Sequence, residues 1–491
     1  MRNDLAARAR ELALLFTSWP SVTGSAGDAA FAGRAEDRLQ HFDKAWTEAI
    51  PGDHAARSNF FALKRGRLRR TIILTGHFDV VSVEDYGALA EHAFAPDQLL
   101  PKLIARLRAS GEHPKALADL ESGDFIPGRG LLDMKAGLAA GLAAMEAYAG
   151  EATLLFVGVS DEEEKSAGAR AAVPQVKAIA QELGLEVALV INLDAISDQG
   201  DGAKGRVVTY GSIGKQLLAA YVVGKQAHAG YPQDGVNAAY VMAEIVNALE
   251  LAPSLSETTG AEVAAPPATL YAKDGKQGYN VTTPARAFAY WNTMQHRRSG
   301  AEVLSIAEEL CAAAIARAEQ RTGHKIKLVR WADIASVAMP SPNLDPALDL
   351  PEQSRIAMAA AADQLDISDP TVILGFASIP YPAVLLQEGA LRGVISEAVR
   401  SHGLGEVNYF AGISDMSFFG EASGDLSVVK ANTPIWGRGF TMPDPAGYPC
   451  INIGPWGRDY HTWLERLHAP YAFDTLPRVL LSVIDAVARS G

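Results

Sequence analysis

Short, almost unbroken apolar runs recur in the first part of the chain: TIILTG at 71–76, TLLFVGV at 153–159 and VALVINL at 187–193. Each is short and nearly all apolar, as expected of parallel strands covered on both faces. Between them the period lengthens. MKAGLAAGLAAMEAY at 134–148 and the run at 166–182 read as helices, and amphipathic helices are also predicted over 7–17 and 35–49. Strand–helix–strand alternation predicts an α/β domain with a mainly parallel central sheet and crossover helices. Residues 84–128 are a polar, partly helical excursion to which the sequence assigns no role.

The texture changes near Gly211. A strand is predicted around 217–224, a helix over 236–250, strands near 267–273 and 285–293, a helix over 301–321 and a last strand at 325–331. Strand–helix–strand–strand–helix–strand is the ferredoxin-like order, here a small lid inserted into the first domain. The chain then continues through helical 352–365, a strand at 371–375 and helices over 388–403 and 472–489. The expected division is 1–212, first part of the main domain; 213–338, lid; 339–491, second part.

A length of 491 residues suits two domains, and 48% hydrophobic with 21% charged residues is an ordinary globular composition. The formal net charge is −13 with no dense Lys/Arg block, which argues against nucleic-acid and anionic-membrane partners. Cys311 and Cys450 are the only cysteines, too few for a disulfide scaffold, so a reduced compartment is expected. The opening MRNDLAARARELALLF lacks the features of a secretory signal. No apolar stretch reaches about 18 residues. The expected location is the cytoplasm.

Candidate chemistry collects at the predicted strand ends. Gly76-His77-Phe78-Asp79 follows the first buried run; His77 can bind a metal while Asp79 steadies the ring's other nitrogen. Alone, the motif could equally be a turn with a capping Asp. Asp133, in Gly130-Leu131-Leu132-Asp133-Met134-Lys135, opens a helix and could be its N-cap or a carboxylate with both oxygens free. Asp161-Glu162-Glu163-Glu164 follows a wholly apolar strand. Four successive carboxylates there repel one another and call for a cation, unless they form a solvated helix start. Asp194 follows VALVINL, with Asp198 as a competitor deeper in the loop, and His461 lies in the glycine-rich run 454–461. Together, His77, Asp133, Glu163, Asp194 and His461 form a ligand set for two borderline metals sharing one carboxylate. A Gly-x-Ser-x-Gly elbow and a dinucleotide-binding Gly-x-Gly-x-x-Gly after a strand are both missing.

The order Gly-His-x-Asp, Asp-Met-Lys, Asp-Glu-Glu-x-x-Ser-x-Gly-Ala, a later Asp and a C-terminal His resembles the aminoacylase / acetylornithine deacetylase / glutamate carboxypeptidase family of zinc hydrolases. Tyr279-Asn280, the Pro380-Tyr381-Pro382 segment and Ile413-Ser414-Asp415-Met416 are similar to its arginine-utilisation (RocB-like) branch. The resemblance implies a zinc-hydrolase catalytic domain with a ferredoxin-like lid, and two divalent metals, zinc first with manganese or cobalt as alternatives. His77, Asp133 and Asp194 would hold one metal, and Asp133, Glu163 and His461 the other. Glu162 would be the general base, Asp79 the residue orienting His77, and His228 a lid histidine stabilising the oxyanion. Asn280 and Asp415 would bind substrate, and the lid would support a homodimer.

Two departures stand out. Ala136 replaces a glycine of the family motif, and the lid strand Ala289–Met294 lacks the arginine that many relatives use to grip a substrate carboxylate, with Arg297 and Arg298 only beyond it. The expected function is hydrolysis of an amide in a small substrate such as an N-acyl amino acid or dipeptide. The alternatives are an inactive binding or scaffold protein of the same fold, and a metal-dependent phosphoesterase. Few basic residues near the motifs speak for the latter.

Overall fold

The computed structural model describes residues 2–260, 262–335, 344–410, 412–422 and 424–490. The chain divides into two compact units: residues 1–212, 384–421 and 443–491 form the first, and 213–383 with 422–442 the second. The expected lid boundary at 338 thus moves. Residues 339–383 and 422–442, assigned from the sequence to the main domain, group with the lid.

The first unit is built on an eight-stranded sheet. Its centre is the parallel set Thr153–Val159, Arg70–His77, Glu186–Asn192 and Cys450–Asn452. The first two are buried almost throughout, as the apolar runs predict. Lys44–Ala49 and Ser58–Lys64 add an antiparallel margin on one side. Here the sequence expectation fails: the helix placed over 35–49 is instead Ala26–Arg38, capped by the Ser25 hydroxyl, followed by the strand Lys44–Ala49. That strand is partly exposed, so it has no apolar run to betray it. Pairing with Ser58–Lys64 supplies what local propensity does not.

The helix Ala136–Ala147 is buried along its first ten residues. It packs against Arg2–Thr17 and Leu476–Arg489. Its small residues permit backbone contact: a Cβ added at Gly137 would stand 2.1 Å from the Leu193 carbonyl oxygen. This contact seats the turn carrying Asp133 against the strand end carrying Asp194.

The second unit carries a five-stranded sheet in the order Ala268–Asp274, Arg286–Gln295, Gly214–Val223, Thr371–Phe376, Lys327–Arg330. The helices Ala238–Leu249 and Gly300–Thr322 pack together in its core. The ferredoxin-like arrangement is present, but the fourth place is taken by Thr371–Phe376, which runs antiparallel beside Gly214–Val223. Lys327–Arg330, expected in that place, is an added strand parallel to Thr371–Phe376.

Gly137→Ala is expected to lower stability by about 1–3 kcal/mol, the usual cost of overpacking a tight core, measured by urea denaturation. An unchanged midpoint would contradict the close helix–strand approach.

Candidate metal centre

Adjacent parallel strands release their chains at one end of the sheet, and the predicted residues leave with them. His77 ends the strand Arg70–His77, Glu162 and Glu163 follow the strand ending at Val159, and Asp194 lies two residues beyond Asn192. Asp133 sits in the turn Leu131–Lys135 that opens the buried helix. His461 occupies the loop joining the antiparallel strands Trp456–Arg458 and Arg466–His468. The carboxyl ends of parallel strands are where such sheets form sites.

Asp133 lies at the middle. Its Oδ1 is 3.1 Å from Nε2 of His77, and its Oδ2 is 3.0 Å from Nε2 of His461. His461 Nε2 is also 3.1 Å from Glu163 Oε1, and His77 Nε2 is 3.8 Å from Asp194 Oδ1. Ligands at about 2.0–2.2 Å from a tetrahedral ion stand about 3.3–3.6 Å apart, a spacing these separations straddle. His77, Asp133 and Glu163 offer ligand atoms all within 4.8 Å of one another. The donors fall into two clusters, His77–Asp133–Asp194 and Asp133–Glu163–His461, with a different oxygen of Asp133 in each. Two His and three carboxylates in this arrangement fit a pair of divalent cations. The Glu162 carboxylate lies just outside, 3.9 Å from His77 Nε2.

The electrostatics call for positive charge. Burial raises the carboxyl groups of Glu162, Glu163 and Asp194 above their ordinary range, and neighbouring acids add to it. Asp133 is the exception: despite burial, hydrogen bonds with His461 and His77 hold it low, so it is ionised. Against the opposing effect of burial, Asp133 and Glu163 push His461 up to about 11. Without a cation, protons on the imidazoles supply the charge; a metal competes for those sites.

The candidate ligands are held from behind. His77 Nδ1 lies 3.0 Å from the carbonyl oxygen of Asp79, so in the neutral ring it donates there and leaves Nε2 as the electron-pair donor. Asp79 was expected to orient His77 through its carboxylate; that group is 3.7 Å away and instead accepts from the backbone amides of Glu162 at 3.1 Å and Glu163 at 3.3 Å. Asp79 therefore fixes both the histidine and the glutamate turn. Asn452 spans the backbone of Asp194, accepting from its amide at 2.9 Å and donating to its carbonyl at 3.0 Å. The rival Asp198 is occupied by the amides of Gly200, Gly202 and Lys204.

Several supports escaped the sequence reading. Arg57, buried, sits 2.5 Å from Asp161 and 2.7 Å from Asp53, supplying the counter-charge that the acidic run requires. Glu465 accepts from the amides of Leu132 and Asp133 at 3.2 and 3.4 Å and is paired with Arg129 at 2.9 Å. Lys135 is wholly buried and donates to the carbonyl of Trp19 at 2.9 Å; burial lowers its ammonium to about 7. Glu465 was detectable by its place four residues after His461. Arg57 carried no such signal for the acidic run, because Asp161 is brought to it by folding.

Of the remaining predicted residues, Asp415 is buried in the first unit, and burial raises its carboxyl to about 7. His77 and the Ser166 hydroxyl oppose that rise. His228 and Asn280 belong to the second unit, on segments that pair through His228 and Thr282. Asn280 Oδ1 accepts from the Thr282 hydroxyl at 2.7 Å, and His228 Nδ1 accepts from the amide of Gly230 at 3.1 Å.

Comparison with known proteins gives a match of the peptidase family M20/M25/M40 to residues 73–429. The protein YqjN of Bacillus subtilis (strain 168) is 30% identical over 98% of this chain and 97% of its own. The protein RocB of the same organism is 28% identical over 97% of this chain and 94% of its own. Among solved structures, a tripeptidase from Staphylococcus aureus shares the fold with a TM-score of 0.56, at 16% identity over 99% of both chains.

Removing bound metal with a chelator is expected to lower the melting temperature, and returning it to restore the original value. At a free metal concentration 100 times the dissociation constant, one site contributes about 2.7 kcal/mol. Scanning calorimetry of stripped and reloaded protein checks this, and identical melting curves would speak against a metal centre.

Proposed function

The chain belongs to peptidase family M20/M25/M40, and from that premise we propose that it hydrolyses an amide bond in a small substrate, an N-acyl amino acid or short peptide, with Glu162 as general base beside a two-metal centre. The observation that carries this reading is the placement of Asp133, one ionised carboxylate facing His77 with one oxygen and His461 with the other. The ligands suit zinc, and manganese or cobalt as well. Divalent cations bound there would bring a water's pKa toward neutrality and polarise the scissile carbonyl.

Glu162 stands at the edge of the ligand set, with its side chain 12% exposed. Burial raises its proton affinity well above that of an ordinary glutamate. Such a group can take a proton from the attacking water and later deliver it to the leaving nitrogen. Asp79 holds the Glu162 backbone in register for both transfers.

We assign His228 to oxyanion stabilisation. Its Nδ1 accepts from Gly230, so the neutral ring carries its proton on Nε2, the donor this role needs. Asn280, on the paired segment, is assigned to substrate binding. So is Asp415, a buried carboxylate within electrostatic reach of His77 and Asp194. The strand Arg286–Gln295 has an arginine only at its first position. Arg286 pairs with Asp363 at 3.2 Å, and the Arg298 guanidinium donates to the Ser254 carbonyl. Substrates lacking a free α-carboxylate are therefore within the proposed range.

Among the described residues the second unit also carries six of the eight exposed large hydrophobics, Tyr231, Leu251, Val263, Leu270, Tyr279 and Val281. Its outer strand Ala268–Asp274 has one strand neighbour among the described residues. Both features support a homodimer formed through this unit. Among the described residues no helix is long and apolar enough to cross a membrane, and both cysteines are free and buried; these are compatible with the cytoplasmic location we propose.

The test is metal content measured beside turnover of an N-acyl amino acid and dipeptide panel. Two metals per chain, with activity that disappears on chelation and returns on reloading, is the expected result; no metal at any loading would refute the reading. Glu162→Gln should keep both metals and lose at least about a hundredfold in kcat. Near-normal turnover would remove Glu162 from the mechanism.

A further inference from the structure

His461 differs from the other ligands in its setting. Its side chain is 43% exposed, whereas His77, Asp133, Glu163 and Asp194 are each under a tenth exposed. Both His461 (φ 64°) and Asp459 (φ 53°) lie in the left-handed region, and the loop is anchored by a hairpin with two paired positions, Gly457 with Leu467 and Arg458 with Arg466. The second position sets two arginines directly opposite each other. Like charges so placed push antiparallel strands apart.

The compensating charge comes from the excursion at 84–128. Asp119 lies between the two arginines, one oxygen on Arg458 and the other 2.8 Å from Arg466. Asp459, two residues before His461, takes the other face of Arg466 at 2.5 Å. The same excursion contributes the strand Phe125–Pro127, which pairs with Arg466–His468. Arg106 lies 4.1 Å above the ring of Trp463. Asp85 completes a second network, pairing with Arg129, which in turn holds Glu465. Four direct contacts from one segment, and a fifth relayed through Arg129, thus converge on the hairpin that presents His461.

We propose that residues 84–128 are a positioning clasp for His461, with Asp119 as the positioning residue, and that the Asp119 arm of the clasp sets the affinity of the Asp133–Glu163–His461 metal position independently of the other. This inference rests on the two-metal reading above. Asp119 touches neither metal nor substrate; it acts by neutralising the arginine pair and so fixing where the hairpin tip stands.

The test is zinc binding to the full chain, by metal analysis after dialysis and by chelator competition, alongside circular dichroism. Asp119→Asn should keep its fold and its first zinc and bind the second about 10–100-fold more weakly, the range for losing a partner that orients a ligand. The double variant Asp119→Asn/Arg458→Gln, which removes the uncompensated like charge, should recover most of that loss. Arg106→Ala, a surface change that removes the cation–π contact and a hydrogen bond to the Tyr86 carbonyl, should weaken the second zinc by about two- to fivefold, the range for losing an exposed cation–π contact. Wild-type affinity in Asp119→Asn, equal weakening of both zincs, or a double variant no better than the single would overturn the proposal. Should Asp119→Asn not fold, unchanged binding by Arg106→Ala would overturn it alone. His461→Ala is the control: it must lose the second zinc, and if it keeps both, the metal assignment itself fails.

Discussion

The organising constraint is the convergence of buried carboxylates at one end of a parallel sheet. Asp133, Glu162, Glu163 and Asp194 are each driven there by the strand or turn that precedes them, and burial sets a large cost on their charge. A fold can tolerate such a cluster only if positive charge is supplied within it. The rest of the first unit can be understood as deciding which acids receive that charge from the protein and which are left to obtain it from elsewhere.

The division is clear from the partners. Asp161 has Arg57, Glu465 has Arg129, and Asp79 has two backbone amides and the Thr23 hydroxyl. These are the acids with supporting roles. Asp133, Glu163 and Asp194 have no arginine or lysine in ion-pair range among the described residues; their close charged neighbours are His77 and His461, side chains that bind metals when neutral. Compensated acids position, and uncompensated acids are available to a cation. The acidic run 161–163 shows both fates within three residues, because successive side chains leave the turn in different directions.

Much of this was legible in the sequence, for a physical reason. Strands buried on both faces must be continuously apolar, so 71–76, 153–159 and 187–193 announce themselves, and polar residues at their ends stand out. The failures have the opposite character. Lys44–Ala49 is a partly exposed margin strand whose identity comes from its partner, and Thr371–Phe376 is parted by forty residues from the strand Lys327–Arg330 beside which it lies. Nothing local distinguishes a strand that closes the second unit from one that resumes the first. Arg57, Arg129 and Asp119 were invisible for the same reason: an ion pair spanning a hundred residues or more leaves no mark on either side of it.

The two halves of the proposed metal centre are supported by different kinds of structure. His77 and Asp194 extend directly from the central strands, and their positions cannot change without disturbing the main sheet and the Gly137 contact against Leu193. His461 stands on an exposed loop between strands of three residues each. Local elements of that size open at a lower free energy than the core that carries them. The strands themselves are almost wholly buried and lie between Phe125–Pro127 and Ile196–Ser197 in a four-stranded sheet, so it is the loop at their end that depends on side-chain contacts for its geometry. A position whose ligands, the shared Asp133 aside, leave central strands inherits the stability of the fold, whereas a position sharing one ligand with an exposed loop inherits the stability of whatever holds that loop. The long segment between two core strands, to which the sequence assigns no role, buries Tyr86, Leu99, Leu103 and Leu107 in the core and from that footing braces the loop of His461.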